Sequence, residues 1–202
     1  MKKLKTFFIL IFIASFSIQL FYVFSTSWML TFVQKCVMLV IQMLSLVGWL
    51  NFEENDLKKY RIKQFMFFLY VINLLYILLW DQDFGRNEEV LRSFEHINLN
   101  LFHTIKLYVN GYKNGVVGLQ SLMINLFGNF CLFMPMAYFL PVLFSKFKKW
   151  YIFLFVIMVL VFLIEVLQVF LQTGTGDIDD WFLNVLGAFV LYVLLRCVRE
   201  KK

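Results

Sequence analysis

The feature that most constrains this chain is a series of six apolar segments, each close to the roughly 20 residues that a helix needs to cross a bilayer. They cover residues 7–24, 28–50, 62–80, 119–144, 150–171 and 181–198. Hydrophobic residues make up 61% of the chain and charged residues 16%, against about 25% in ordinary soluble domains. Lipid can accept so much apolar surface, so the sequence predicts an all-α polytopic transmembrane helical bundle with about six spans.

Basic residues lie in clusters that alternate along the chain with loops lacking such a cluster. The clusters are Lys2, Lys3 and Lys5; Lys58, Lys59, Arg61 and Lys63; Lys146, Lys148 and Lys149; and Arg196, Arg199, Lys201 and Lys202. Cytoplasmic loops of membrane proteins are enriched in Lys and Arg, so both termini are expected in the cytoplasm. We therefore predict a multi-pass protein of the cell membrane, with membrane lipids as partners. The basic clusters that set the orientation of the protein in the membrane explain its net charge of +6. This charge therefore indicates no nucleic-acid partner.

The first two segments each leave an alternative open. Segment one, followed by small residues at 25–27, resembles a secretory signal peptide, although its apolar run exceeds the usual h-region of roughly 7–15 residues. Segment two contains Gln34, Lys35 and Gln42, which would also suit an interfacial or re-entrant helix. Losing segment two would break the alternation of the basic clusters.

The stretch 81–118 is too long for a tight turn and mixes charged with apolar residues. A segment of this composition can lie along a membrane surface as an amphipathic element. The alternation of loops places it opposite the basic clusters. We therefore predict a short amphipathic extracytoplasmic segment here.

Polar side chains inside the spans mark candidate sites, because burying them in lipid is expensive. Glu165 lies in an apolar run, and Gln168 follows it on the same helix face. Asn125 and Asn129 share a face of segment four, and Asn184 lies near the start of segment six. A rise of ~1.5 Å per residue puts Glu165 about two-thirds of the way outward through a core of ~30 Å.

Three aspartates, Asp177, Asp179 and Asp180, lie in the loop that joins segments five and six. All these polar groups map to the extracytoplasmic half of the membrane, and this shared depth predicts an outward-facing polar pocket. Its predicted residues are Asn125, Asn129, Glu165, Gln168, Asp177, Asp179, Asp180 and Asn184.

Other interpretations of the same residues remain open. The amides and Glu165 would also serve as hydrogen bonds between helices, without any ligand. Asp179 or Asp180 is a suitable N-cap for segment six, and residues 174–176 suit a flexible turn. The aspartates could bind a hard cation, but the EF-hand spacing is absent, and His96 and His103 are isolated. We therefore predict no metal and no cofactor.

The motifs around these residues resemble those of VanZ-like membrane proteins. Residues 125–135 match the pattern N-x-x-G-N-x-x-x-F-x-P, and residues 165–168 match E-x-x-Q. Residues 177–187 match D-x-D-D-x-x-x-N-x-x-G. Residues 97–105 are similar to N-L-x-P-F-x-T-I, although the usual Pro is absent and His103 stands in place of a frequent Arg. The resemblance covers about residues 60–196, so we predict an N-terminal membrane addition of two spans in 1–55 and a VanZ-like domain of four spans in 56–202.

The resemblance implies a cell-envelope protein associated with resistance to teicoplanin and related lipoglycopeptides in a Gram-positive bacterium. The expected partners are then a lipid-linked cell-wall intermediate or a lipoglycopeptide. An alternative is a membrane enzyme that acts on a lipid-linked envelope substrate, with Glu165 as general acid or base and the aspartates holding a cation. The sequence does not decide whether the protein is an enzyme. Transport is disfavoured, because six spans are few and no internal repeat is present.

Overall fold

The computed structural model describes residues 2–25, 31–79, 97–171 and 173–200, and the backbone of these residues is almost entirely helical. The α-helices are α1 Lys2–Phe24, α2 Phe32–Asn51, α3 Asp56–Leu79, α4 His103–Lys113, α5 Leu119–Met123, α6 Asn129–Leu132, α7 Met134–Leu143, α8 Trp150–Phe170 and α9 Ile178–Glu200. A π-helical turn, Ile124–Gly128, joins α5 to α6, and a 3₁₀ turn, Ser145–Lys148, precedes α8.

Within this described part, six helical stretches are long and apolar enough to cross a membrane. They are Lys3–Val23, Val33–Asn51, Asp56–Leu79, Leu119–Leu143, Trp150–Phe170 and Ile178–Val198. The predicted all-α class and the predicted number of spans are confirmed. The location of the termini in the cytoplasm stays a prediction.

The chain divides into two compact units, Met1–Phe84 and Gly85–Lys202. The predicted division into an N-terminal addition of residues 1–55 and a four-span domain of residues 56–202 stays a prediction.

Three helices, α1 to α3, form the first unit and are joined by a chain of amide side chains. Nε2 of Gln42 donates to Oε1 of Gln19 at 2.6 Å, and Nε2 of Gln19 donates to Oδ1 of Asn73 at 2.6 Å. Hydrogen bonds of this kind hold transmembrane helices together where water is absent. Lys35, which weakened the prediction of the second span, lies 5.8 Å from the ring centroid of Tyr76 in α3, a cation–π distance.

An ion pair between Lys5 of α1 and Glu53, which follows α2, joins one end of these helices. The side chain of Glu53 is 7% exposed and that of Lys5 is 29% exposed. The hydrogen bond from Lys5 lowers the pKa of Glu53 below its usual 4.5, although partial burial acts in the opposite direction. The folded state therefore favours the ionised form of Glu53.

We expect the Lys5–Glu53 pair to make the stability of the protein depend on acid pH. Because the pKa of Glu53 is lowered by folding, its contribution is present above pH 4.5 and is lost as the pH falls through the lowered value. Glu53→Gln should remove this part of the pH dependence, measured as melting temperature in detergent from neutral to acid pH. Glu54→Gln, at an exposed neighbouring position, is the control. Identical pH profiles for wild type and Glu53→Gln would contradict the assignment.

In the second unit, α8 and α9 pack side by side through aromatic groups with polar ends. The ring of Tyr192 stacks on that of Phe153 at 4.3 Å between centroids, and its hydroxyl donates to the Lys148 carbonyl at 2.7 Å. Nε1 of Trp181 donates to the Met158 carbonyl at 3.0 Å. These bonds fix α9 against α8 near its start, through Trp181, and against the 3₁₀ turn before α8, through Tyr192.

The fourth span, Leu119–Leu143, is an interrupted helix. Its last part, α7, begins at Met134, with Pro135 in the first turn, where a missing N–H costs nothing. Proline has no backbone N–H and its ring clashes with the carbonyl of the residue four positions before it, which explains the break at this point. The π-turn at Ile124–Gly128 was not predicted; it contains Asn125 and ends directly before Asn129. π-turns inside helices are frequent at functional sites.

Candidate functional site

The chain before α4 is fastened to the start of α9 by a short parallel backbone bridge between Asn98 and Asp177. The amide N–H of Asn98 donates to the Gly176 carbonyl at 2.9 Å, and that of Ile178 donates to the Asn98 carbonyl at 3.0 Å. Nδ2 of Asn98 also donates to Oδ1 of Asp177 at 3.2 Å. We call residues 97–113, which include α4, the strap.

Asp179 is fully buried and binds the beginning of α4 instead of its own helix. Its two carboxylate oxygens accept from the backbone N–H groups of Phe102 and Ile105, the second at 3.1 Å. Phe102 has a left-handed backbone with φ of 65°. The first N–H groups of a helix have no partner within it, so Asp179 satisfies donors that the helix itself leaves unpaired.

The aspartate that caps α9 is Asp177. Its Oδ1 accepts from the backbone N–H of Asp179 at 2.9 Å, as an N-cap does. The capping residue therefore differs from Asp179 and Asp180, the two capping alternatives raised by the sequence. Asp177 and Asp179 both use carboxylate oxygens to bind protein donors at the junction of the strap and α9.

Asp180 faces α6 and joins it to α9. Its Oδ1 accepts from Nδ2 of Asn129 at 2.5 Å, while Nδ2 of Asn184 donates to the Asp180 carbonyl at 2.9 Å. One turn further, Gly187 lies so near to α6 that a Cβ on it would be 1.7 Å from the Phe130 carbonyl oxygen. Residues 180, 184 and 187 share one face of α9, and α6 packs against that face.

Two amide oxygens of the predicted pocket are buried and find no hydrogen-bond partner among the residues that the structure describes. One is Oδ1 of Asn184, a residue that is only 2% exposed. The other is Oδ1 of Asn125, which lies in the π-turn one helical turn before Asn129. A buried polar atom without a partner costs about 1–3 kcal/mol, so native proteins rarely keep one without a reason.

Glu165 and Gln168 have different surroundings although both lie on α8. Glu165 is half-buried and close enough to Asp180 and Asp177 for their negative charges to interact. Gln168 is buried, and its side chain packs against Gly174 in the turn before α9, with 3.2 Å from its Cβ to the position of a Cβ on Gly174. Gln168 therefore supports the turn, while Glu165 belongs to the acidic group.

Tyr108 of the strap also lies beside this group, and the sequence did not single it out. Burial raises the pKa of the Tyr108 hydroxyl, and the charges of Asp180 and Asp177 raise it further. In the sequence, Tyr108 is marked only by its position in the predicted amphipathic segment. On α4, Ile105, Tyr108 and Val109 are half-buried, whereas Lys106 and Lys113 are exposed.

The acidic residues are not arranged as a metal centre. Within 2–25, 31–79, 97–171 and 173–200, no group of three or more His, Cys, Asp or Glu side chains is placed to hold a metal ion. The side chain of His103 is exposed at the start of α4. His96 lies outside the described residues.

The fold and the site define a multi-pass α-helical membrane protein with a group of carboxylates and amides where the strap, α6, α8 and α9 meet. The chain belongs to the VanZ/LLP1 family, whose model matches residues 67–199. The resemblance predicted from the separate motifs is confirmed, and the match contains every predicted site residue. No curated protein and no solved structure matches the chain.

Proposed function

We propose that this VanZ-like protein lies in the cell membrane of a Gram-positive bacterium and lowers the action of lipoglycopeptide antibiotics such as teicoplanin. It would do so by binding a lipid-like or lipid-linked ligand in an outward-facing polar pocket. The proposed pocket residues are Asn125, Asn129, Glu165, Gln168, Asp177, Asp179, Asp180 and Asn184. The observation that carries the proposal is that the buried side-chain oxygens of Asn125 and Asn184 have no hydrogen-bond partner in the part of the chain that the structure describes.

The contacts support a division of roles within this set. Asp177 and Asp179 bind donors of the strap and of α9, and Gln168 packs on the turn before α9, so these three residues position the site. Asp180, Asn184, Asn125 and Glu165 are the groups proposed to meet the ligand. Asn129 orients the Asp180 carboxylate through its 2.5 Å hydrogen bond.

The proposed direction of access follows from charge. The basic clusters predict that the loop before α8 is cytoplasmic, which places the start of α9 and the strap on the opposite side. A ligand in the outer leaflet would then reach Asp180 from the strap end. Below it, the close contact of Gly187 with Phe130 leaves no room between α6 and α9.

Expression in a susceptible Gram-positive host should raise the minimal inhibitory concentration of teicoplanin. Asp180→Asn should lose most of this effect, because an isosteric amide removes the negative charge from the proposed contact. Asp56→Asn, at a side chain that is 96% exposed, should keep the effect. Membrane levels of all three proteins need to be equal by immunoblot. Unchanged teicoplanin tolerance with wild-type protein present in the membrane would reject the proposed function.

A membrane enzyme acting on a lipid-linked envelope substrate is the second candidate, favoured by the proximity of Glu165 to Asp180. Two interacting carboxylates in a partly buried site can take separate acid and base roles. Asp177 and Asp179 are less suited to the cation-holding role, because their oxygens already accept protein hydrogen bonds. Turnover of lipid intermediates by purified protein, abolished by Glu165→Gln, would favour the enzyme over a binding protein.

A further inference from the structure

The proposed pocket offers mainly hydrogen-bond acceptors to a ligand. Asp180 and Glu165 contribute carboxylates on half-buried residues, and Asn125 and Asn184 contribute amide oxygens that have no partner among the described residues. The amide N–H groups are already committed at two positions, since Nδ2 of Asn129 donates to Asp180 and Nδ2 of Asn184 donates to the Asp180 carbonyl. A ligand that fits this set must supply donors.

Asn184 offers a buried acceptor, and this observation is independent of the acidic cluster. Its amide nitrogen binds the Asp180 carbonyl, so the side chain lies beside Asp180 on the face of α9 that meets α6. Its oxygen is buried and has no partner in the described part of the chain. A buried carbonyl oxygen of this kind, on the residue one turn after Asp180, is suited to accept from a ligand N–H group.

The local charge points to the same kind of ligand. The charges that act on Asp180 come from Asp177 and Asp179, and those that act on Glu165 come from Asp180 and Asp177. All of these groups are acidic, so they repel one another when ionised. A cationic ligand would relieve this repulsion and would gain charge-assisted hydrogen bonds.

We propose that the site binds a primary ammonium group, with Asp180 and the oxygen of Asn184 as its main acceptors and Glu165 as a further anionic contact. A primary ammonium carries one positive charge and three N–H donors, which matches one carboxylate and two further acceptors. A quaternary ammonium has no N–H donor and is usually bound by aromatic cages instead. This inference rests on the proposed ligand pocket and specifies the chemistry of the group that enters it.

The test measures lipid binding to the purified full-length protein by native mass spectrometry. Three phospholipids with identical acyl chains are compared, carrying ethanolamine, choline or glycerol as the headgroup. Phosphatidylethanolamine should bind at least about tenfold more tightly than phosphatidylcholine, a difference of ~1.4 kcal/mol. Competition by free ethanolamine would identify the headgroup alone as sufficient, and its failure to compete would assign the source to an intact lipid. Either result supports an ammonium site.

Variants connect the preference to the site. Asp180→Asn and, separately, Asn184→Leu should reduce the preference for phosphatidylethanolamine, whereas Asp56→Asn should retain it. Monodisperse elution and an unchanged helical circular dichroism spectrum show which variants are folded, and the isosteric Asp180→Asn is the less disruptive of the two. Equal binding of all three lipids by the wild type, or a preference for phosphatidylglycerol, would overturn the ammonium inference but leave a lipid pocket. Absence of any bound lipid would reject the pocket itself.

Discussion

Replacing Gly187 with alanine is expected to prevent α6 and α9 from packing, and with it the folding of the second unit. The new Cβ would lie 1.7 Å from the Phe130 carbonyl oxygen, whereas ordinary contacts begin at 3.4 Å. That oxygen belongs to helix backbone and cannot rotate away, so the two helices must separate. We expect a loss of stability above about 4 kcal/mol, a cost found only for the most disruptive single substitutions.

The measurement is the yield and melting temperature of the detergent-purified protein. Gly118→Ala is the matched control, since Gly118 has an ordinary extended backbone and a Cβ there would meet nothing within 4 Å. Gly118→Ala should purify like the wild type, while Gly187→Ala should aggregate or melt far below it. Normal yield and melting of Gly187→Ala would show that α6 and α9 are not in direct backbone contact.

Asp179→Ala should release the strap from the start of α9. The substitution leaves the N–H groups of Phe102 and Ile105 without their acceptor. Each lost acceptor should lower the free energy of unfolding by about 1–3 kcal/mol. We expect rapid hydrogen exchange in α4, measured by mass spectrometry, and a lower melting temperature. The packing of Phe102 against Phe182, at 5.5 Å between ring centroids, should retain part of the contact.

Asp179→Asn provides a graded comparison because it keeps one oxygen acceptor. Its exchange rates should lie between those of wild type and Asp179→Ala. The exposed substitution Asp56→Asn should leave exchange in α4 unchanged. If α4 stays protected in Asp179→Ala, the carboxylate does not hold the strap.

The spans were predictable from sequence because a bilayer imposes a simple requirement of length and apolarity. Lys35 made the second span the least certain, and its position near Tyr76 was not accessible to hydropathy, since it depends on contact between two helices. The same applies to Gln19, Gln42 and Asn73, whose pairing requires knowledge of how α1, α2 and α3 face each other.

The candidate site was only partly predictable. The expected depth in the membrane grouped residues that lie on α6, α8 and α9, and Asn129, Asp180 and Asn184 do meet in a continuous set of hydrogen bonds. Sequence could not separate Asp179, which binds the strap, from Asp180, which faces α6, because adjacent residues of a helix point about 100° apart. Tyr108 was missed because its approach to Asp180 depends on how the strap is attached.

Because of the π-turn at Ile124–Gly128, the geometry of the fourth span depends on its exact number of residues. A π-turn holds one more residue than the α-helical turn it replaces, so it acts as an insertion that the helix absorbs without ending. Deleting one residue between Asn125 and Asn129 would restore α-helical geometry and bring the two asparagines three positions apart, with little change in the rotation of α5 relative to α6. The spacing of Asn125 and Asn129 is therefore a property of the turn as well as of the two residues. A relative that lacks this extra residue would keep both amides on the same helix face at a spacing of three residues.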